Sequence, residues 1–487
     1  MGNKFYADQA KTSKFYVTTT LPYVNDKPHI GFALEIIQAD VVARYHSLSG
    51  DDVFFNFGTD EHGQKIYQKA LEKKKDPQKY VDEYAKKFDS LKKSLNLSYN
   101  NFIRTTDEHH IKASQEIWKR CLENGYIAKG IYKAKYCVGC ELEKQDSELV
   151  DNKCPLHSNQ EIEVIEEENY FFKFSKFQDE LLELYKKYPD FVIPQHRLKE
   201  ITNFVSSGLQ DFSVSRLKEK MPWGIPVPGD DKHVMYVWFD ALVNYISALG
   251  WPEEERKFAD FWGTIDNPKA LQVAGKDNLR QQSAMWQAML KAAGLPTSRQ
   301  IFIHGFITSG GQKMSKSLGN VIDPFEYAEE YGTDALRYYL LAKISPTEDS
   351  DFTKEKFENV YNADLANGLG NLVARVAKLC EKSNLKFPTT KPKFYDRVET
   401  QINNFHFDFA LLAVWTQIKK QDQTLNVKQP WGKSGKELNQ ILSPIVSEIQ
   451  KIAYNLKPFL PKTAKKIAFQ FKGPLIKTDK PLFPRLS

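Results

Sequence analysis

No stretch of this chain approaches the roughly 20 consecutive apolar residues that a membrane-spanning helix needs, and the opening residues MGNKFYADQAKTSK lack the apolar core of a signal peptide. Both absences point to a cytoplasmic protein. Cysteine is scarce, at 5 in 487 residues, which is too few for a disulfide framework. There is no internal repeat and no low-complexity linker, so neither a solenoid nor a disordered tail is expected. What remains, 41% hydrophobic and 27% charged residues, is the composition of a globular chain of about three domains.

The formal net charge of +6 is unevenly placed. Residues 421–487 hold 12 lysines and arginines against 4 acidic residues, so everything before them sums to −2. A basic tail on a near-neutral body suggests a polyanion partner, and a lysine-rich solvated face accounts for the charge equally well.

The stretch FYVTTTLPYVNDKPHIGFALEIIQADVVARY, Phe15 to Tyr45, reads as strand, loop and helix. β-branched and aromatic residues fill Phe15 to Thr20. From Phe32 onward the apolar residues recur at helical spacing instead. Pro22, Asn25, Asp26 and Pro28 force a long turn between them. His29, Ile30 and Gly31 therefore fall at a helix N-terminus, where free N–H groups and the helix dipole favour phosphate, and Gly31 permits close approach. A plain helix start is the other reading. The segment is neither GxGxxG nor GxxxxGK[ST], which argues against a Rossmann dehydrogenase and a P-loop NTPase.

Val53 to Phe57 reads as a second strand, ending in the polar turn GTDEHG at residues 58–63. Helices are expected within 65–96 and 102–122, and short strands and loops from about 125 to 230. Strand signals return at Val234 to Trp238, Leu271 to Val273 and Ile301 to His304, with a helix over Arg280 to Ala293, so the insert interrupts one α/β sheet. From Tyr331 the pattern is helical: Thr333 is the expected N-cap of Asp334 to Leu341, followed by helices over 356–382, 404–424, 434–457 and 462–470. Pro388 to Pro392 is the expected flexible joint.

Two constellations carry chemistry. Cys137, Cys140, Cys154 and His157 form paired CxxC and CxxH knuckles, the spacing of a closed tetrahedral zinc site with a structural role. Cys121 and Cys380 are expected as buried thiols. The loop GGQKMSKSLGN, residues 310–320, follows a strand and can bring Lys313 and Lys316 onto phosphate oxygens.

PHIGF and KMSKS resemble the paired signatures of the class I aminoacyl-tRNA synthetases. In order along the chain, TTTLPYVND, GTDEHGQKI, FIRTTD, GLQDFSVSR, YVWFDALVNY, AGKDN and HGFITSGGQKMSKSLGN are similar to the methionyl-tRNA synthetase family within that class. The resemblance covers residues 15 to 431. It implies an α/β fold with a Rossmann-like parallel sheet split by a zinc-containing insert and followed by an all-α anticodon-binding bundle. Its domains would be a first catalytic half at 1–122, a connective insert at 123–230, the second half at 231–305, the KMSKS loop and stem-contact region at 306–355, and the helical domain at 356–487.

By the same resemblance Leu21, Tyr23, Asp60, Trp238 and Tyr245 bind methionine. His29, Gly31, Gly275, Asp277 and Lys316 bind ATP, which arrives with Mg2+, and His29, Lys313 and Lys316 are catalytic. Asn371, Arg375 and Trp431 meet the anticodon of tRNA-Met. Taken alone, Trp238 and Trp431 read as packing residues. Two departures stand out: Phe32 replaces the polar residue that usually ends the PHIGF-type motif, and Gln281 and Gln282 replace a Phe-His pair. The short insert disfavours the leucine, isoleucine and valine enzymes. A non-enzymatic tRNA-binding paralogue is the other alternative, and a monomer is expected.

Overall fold

The computed structural model describes residues 12–25, 27–140, 142–144, 148–314 and 319–486. Its centre is a six-stranded parallel sheet in the order Asn101–Arg104, Asp52–Thr59, Lys14–Thr19, Leu271–Gly275, Gln300–His304 and Val192–Ile193. We label Lys14–Thr19 β1, the helix Ile30–Ser49 α1, Asp52–Thr59 β2 and Asn101–Arg104 β3. The chain winds outward from β1 through β2 to β3, then returns to pair β1 on its other edge, with Val17 opposite Leu271 and Thr19 opposite Val273. Such a reversal of strand order opens a crevice at the carboxyl ends of the strands.

α1 is buried over most of its length, with Ala33, Leu34, Ile36, Ile37, Val41 and Val42 against the sheet. Three polar residues on it are also buried, Glu35, Gln38 and Asp40. Asp40 accepts from Arg44 at 2.7 Å, from the Ser98 backbone and hydroxyl at 2.6 Å each, and from the fully buried Arg337 at 2.7 Å.

Within the region read as strands and loops, a four-stranded antiparallel sheet places Ile127–Cys137 between Leu142–Lys144 and Glu163–Phe172, with Phe212–Ser213 at its edge. The same stretch also contains two helices, Gln178–Lys187 and Gln195–Ser206, and Val192–Ile193 joins the central sheet beside Ile301 and Phe302.

Four local expectations are corrected. The strand read at Val234 to Trp238 stops at Met235, and Val237–Ala241 is helical. There the pull of the tertiary structure overrides β-rich composition, because Asp240 is buried between two histidines. Gly332, not Thr333, precedes the helix Thr333–Ala342 as its cap; the Thr333 hydroxyl instead donates to the Ser94 carbonyl at 2.7 Å. The stretch from Pro388 to Pro392 is no free joint, since Gln450 accepts from the Thr390 N–H at 2.8 Å and donates to the Pro388 carbonyl at 3.0 Å. The long helix at 356–382 is interrupted by a wider-wound segment, Tyr361–Gly370, and the helix Asp396–Asn403 had no counterpart in the sequence reading. No helix among the described residues is long and apolar enough to cross a membrane.

Candidate active site

His29 caps α1. Its backbone is extended and its Nδ1 accepts a hydrogen bond from the Gly31 N–H at 3.1 Å. A Cβ on residue 31 would lie 2.9 Å from the histidine ring, so the fold-back of His29 is what requires glycine here. Burial pushes the imidazole pKa down to about 4. A neutral ring that accepts at Nδ1 carries its proton on Nε2, so His29 presents a single N–H donor. The expected row of free amides is not there: Ile30 donates to the Ile322 carbonyl at 3.0 Å, and Phe32 and Ala33 donate to the His29 carbonyl. What the helix start offers an anion is the dipole and the His29 Nε2–H. Phe32 packs its ring against His29, at 4.3 Å between centroids, and edge-on to Phe88.

A cavity of about 220 Å³ opens beside this helix start, at the carboxyl ends of β1, β2 and Leu271–Gly275. Leu21, Tyr23, Asp60, Trp238 and Tyr245 all line it, and so does Asp277. The loops after β1 and β2 are laced together by main-chain bonds, Asp60 N–H to the Pro22 carbonyl at 3.0 Å and Val24 N–H to the Asp60 carbonyl at 3.1 Å. This fixes a carboxylate that is 7% exposed at the rim of an aromatic pocket. The Trp238 indole N–H is buried without an acceptor among the described residues, which leaves a donor for a ligand.

The glutamine pair divides between two surfaces. Gln282 lines this cavity and its Nε2 donates to the Tyr245 hydroxyl at 2.6 Å, while its Oε1 accepts from Gln272 at 2.9 Å. Gln281 faces away. Because the amide supplies the donor, the Tyr245 hydroxyl keeps its own proton for the cavity, and burial holds that phenol well above its usual range.

Two buried networks escaped the sequence reading. Glu35 accepts from the Thr20 N–H at 2.8 Å and its hydroxyl at 2.5 Å, and pairs with His304 Nε2 at 3.0 Å. His304 Nδ1 faces the Gly305 carbonyl at 2.7 Å, so both ring nitrogens donate. Burial alone would lower this imidazole, but Glu35 outweighs it and raises the pKa. Asp240 lies between His62 Nδ1 at 2.7 Å and His110 Nε2 at 2.9 Å. Burial opposes its ionisation, and the two histidines nevertheless hold it below the usual carboxylate range. The available signal was that polar residues interrupt the apolar pattern of α1.

Gly275 ends its strand with the Asp277 carboxylate turned back over it; a Cβ there would meet Asp277 Oδ1 at 2.7 Å. Lys313 lies on the hairpin strand Gln312–Lys313, exposed, with its ammonium 5.9 Å from the Phe306 ring centre. His29, Gly31, Gly275 and Lys313 do not line the cavity itself, and Lys316 lies outside the described residues.

Cys137, Cys140, Cys154 and His157 come together, with all four ligand atoms within 4.8 Å of one another. Cys140 Sγ is 3.5 Å from Cys154 Sγ and 3.2 Å from His157 Nδ1, which are edge lengths suited to a tetrahedral ion with metal–sulfur bonds of about 2.3 Å. The cluster can hold a metal, and it borders the cavity: Gly139 and Cys140 line the wall, and Lys65 donates to the Gly139 carbonyl at 3.3 Å. Cys121 and Cys380 are buried.

In the helical region Asn371 and Arg375 begin the helix Asn371–Ser383. Arg375 is held by Asp422 at 2.5 Å and Asn426 at 2.9 Å. Trp431 follows the helix Phe407–Lys428 and is 57% exposed, so the packing role it has in isolation is wrong.

A crevice at the carboxyl ends of a parallel sheet and a histidine-capped helix beside it stand together, and the family model described as tRNA synthetases class I (M) matches residues 15–162 and 140–377. The chain belongs to that family and is an ATP-dependent ligase. Proteins named methionine–tRNA ligase are similar to it: that of Thermotoga maritima is 40% identical over 93% of this chain and 74% of its own length, and that of a Nostoc species 42% over 93% and 89%. The solved structure of Mycobacterium tuberculosis methionyl-tRNA synthetase in complex with methionyl-adenylate superposes with a TM-score of 0.89 at 33% identity, covering 97% of this chain and all of that one.

Proposed function

We propose that the chain activates methionine with ATP and transfers it to the 3′-terminal adenosine of tRNA-Met. The observation that carries this reading is the cavity at the sheet's crevice, which gathers two carboxylates, Asp60 and Asp277, two aromatic walls and the Tyr245 phenol. Asp60 takes the α-ammonium, Trp238 and Tyr23 enclose the thioether, and Tyr245 donates to sulfur. The methionine carboxylate attacks the α-phosphorus, the bond to the bridging oxygen breaks, and pyrophosphate leaves. In the second step the ribose hydroxyl of the tRNA attacks the methionyl carbonyl and AMP departs. No covalent enzyme intermediate is involved, so the protein's part is positioning and charge stabilisation.

The His29 Nε2–H is placed to donate to phosphate oxygens of ATP, with Gly31, Gly275 and Asp277 close to the nucleotide and Lys313 and Lys316 at the leaving pyrophosphate. ATP enters with Mg2+. Phe32 cannot donate, so His29 carries that contact alone at the helix start. Cys137, Cys140, Cys154 and His157 hold a zinc ion that is structural, since four protein ligands leave no position for substrate. Elemental analysis is expected to find about one zinc per chain, and a metal-free active preparation would remove that assignment. We place the enzyme in the cytoplasm as a monomer.

Amino-acid-dependent ATP–pyrophosphate exchange tests the function, comparing methionine with leucine, isoleucine, valine and cysteine. Exchange with methionine alone is the expected result. Exchange with a branched amino acid instead would move the substrate, and none at all would favour a tRNA-binding paralogue. In the same assay Lys316→Ala should lower exchange by about 10- to 100-fold with methionine affinity unchanged; equal losses in both would contradict its role. Trp431→Ala should weaken tRNA charging about tenfold, as expected for a lost stacking platform, and leave exchange intact. A parallel fall in exchange would make Trp431 structural.

A further inference from the structure

A second cavity, of about 510 Å³, lies back to back with the methionine cavity, between the insert's antiparallel sheet and the helical turn that starts at Gln281. The two share a partition: Gln281 and Tyr236 line this one, while Gln282 and Trp238 line the other. Its walls are aromatic and cationic. Phe174, Phe204, Phe212 and Tyr236 surround it, and the Arg280 guanidinium lies 4.3 Å over the Phe204 ring. Gln281 is 7% exposed, and its Oε1 has no hydrogen-bond partner among the described residues. A buried amide oxygen in that condition is costly unless something else satisfies it. Two carboxylates also line it, Glu148 and Asp211, and Asp211 is engaged by the N–H and hydroxyl of Ser175 at 3.0 and 2.7 Å.

We propose that this cavity receives an unpaired nucleobase of the 3′ single strand of tRNA, stacked on the Phe204–Arg280 platform and read at its edge by the Gln281 amide. The inference rests on the function proposed above. Proteins hold unpaired bases by stacking them on aromatic rings and guanidinium planes. A glutamine amide, which has one acceptor and a donor pair, matches the edge of adenine. The volume lies in the range of sites that bury a small ligand. The location fits as well, because this cavity abuts the methionine cavity along residues 236–238 and 280–282, beside the place where the ribose hydroxyl must attack.

The test uses the full chain with two full-length tRNAs, one carrying 2-aminopurine at the 3′ terminus for the fluorescence arm and the unaltered tRNA, which keeps adenine's N6 amino group, for the KM arm, together with Gln281→Leu and the half-buried Phe204→Ser. With the unaltered enzyme, binding should quench the fluorophore by stacking. Phe204→Ser should abolish at least half of that quench, and Gln281→Leu should raise the KM for tRNA about tenfold. Methionine-dependent exchange should stay within twofold in both. Unchanged quench and unchanged KM in the two variants would overturn the proposal, as would a fall in exchange equal to the fall in charging, which would make the cavity a support for the methionine site. The fluorescence arm reads binding alone, so it bears on the base site even where methionine activation fails.

Discussion

Asp60→Ala is expected to lower the kcat/KM of methionine-dependent exchange about a thousandfold. Asp60 is 7% exposed and sits among Leu21, Tyr23 and Trp238, and in the function proposed above its carboxylate faces the α-ammonium of methionine, stripped of its water. Truncating one partner of such a charge-assisted pair costs about 2–5 kcal/mol, and about 4 kcal/mol corresponds to a factor of a thousand. The loop should survive, because the main chain of residue 60 bonds to Pro22 and Val24 whatever its side chain is. Binding of 4-(methylthio)butanoate, which is methionine without its amine, should be no weaker in the variant. A loss under tenfold, or an equal loss of the amine-free analogue, would remove Asp60 as the ammonium's partner.

Arg337→Met is expected to destabilise the fold by about 3–5 kcal/mol, the usual result of stranding one partner of a buried pair. The guanidinium is fully buried. It donates to the carbonyls of Phe459 at 2.7 Å, Pro458 at 3.0 Å and Leu95 at 3.2 Å, and pairs with Asp40 at 2.7 Å. These partners belong to α1, to the loop ahead of β3 and to the turn before the helix Pro461–Gln470. One side chain therefore joins the catalytic sheet to the end of the helical region. Urea unfolding should shift to lower midpoint, with the helical part melting first. Because Asp40 keeps Arg44 and Ser98 as partners, adding Asp40→Leu should deepen the loss, and a shift under about 1 kcal/mol for Arg337→Met would show that the pair carries little of the stability.

How much of this was legible in the sequence differs from residue to residue. β1, the turn and α1 could be read because the apolar period changes from two to 3.6 across a cluster of prolines. The metal knuckles were legible because two ligands three residues apart constrain each other locally. Gln282 was not legible: its role depends on the Tyr245 hydroxyl and the Gln272 amide, which arrive from elsewhere in the chain. The Glu35–His304 pair, 269 positions apart, was invisible for the same reason. The strand read at Val234 to Trp238 is there but ends at Met235, because local composition does not register two histidines waiting for Asp240. His29 was found, but for an incomplete reason, since the amides expected to bind phosphate turn out to be spent within the helix and on Ile322.

The placement of the cysteine–histidine cluster has a practical corollary. On the function proposed above, Gly139 and Cys140 form one side of the substrate cavity, so a chain deprived of the proposed zinc can retain its sheet and its helical bundle and still lack a wall where methionine is to sit. Specific activity would then track the trace-element content of the growth medium, and preparations from different broths, indistinguishable by gel, would differ in the fraction of molecules able to turn over.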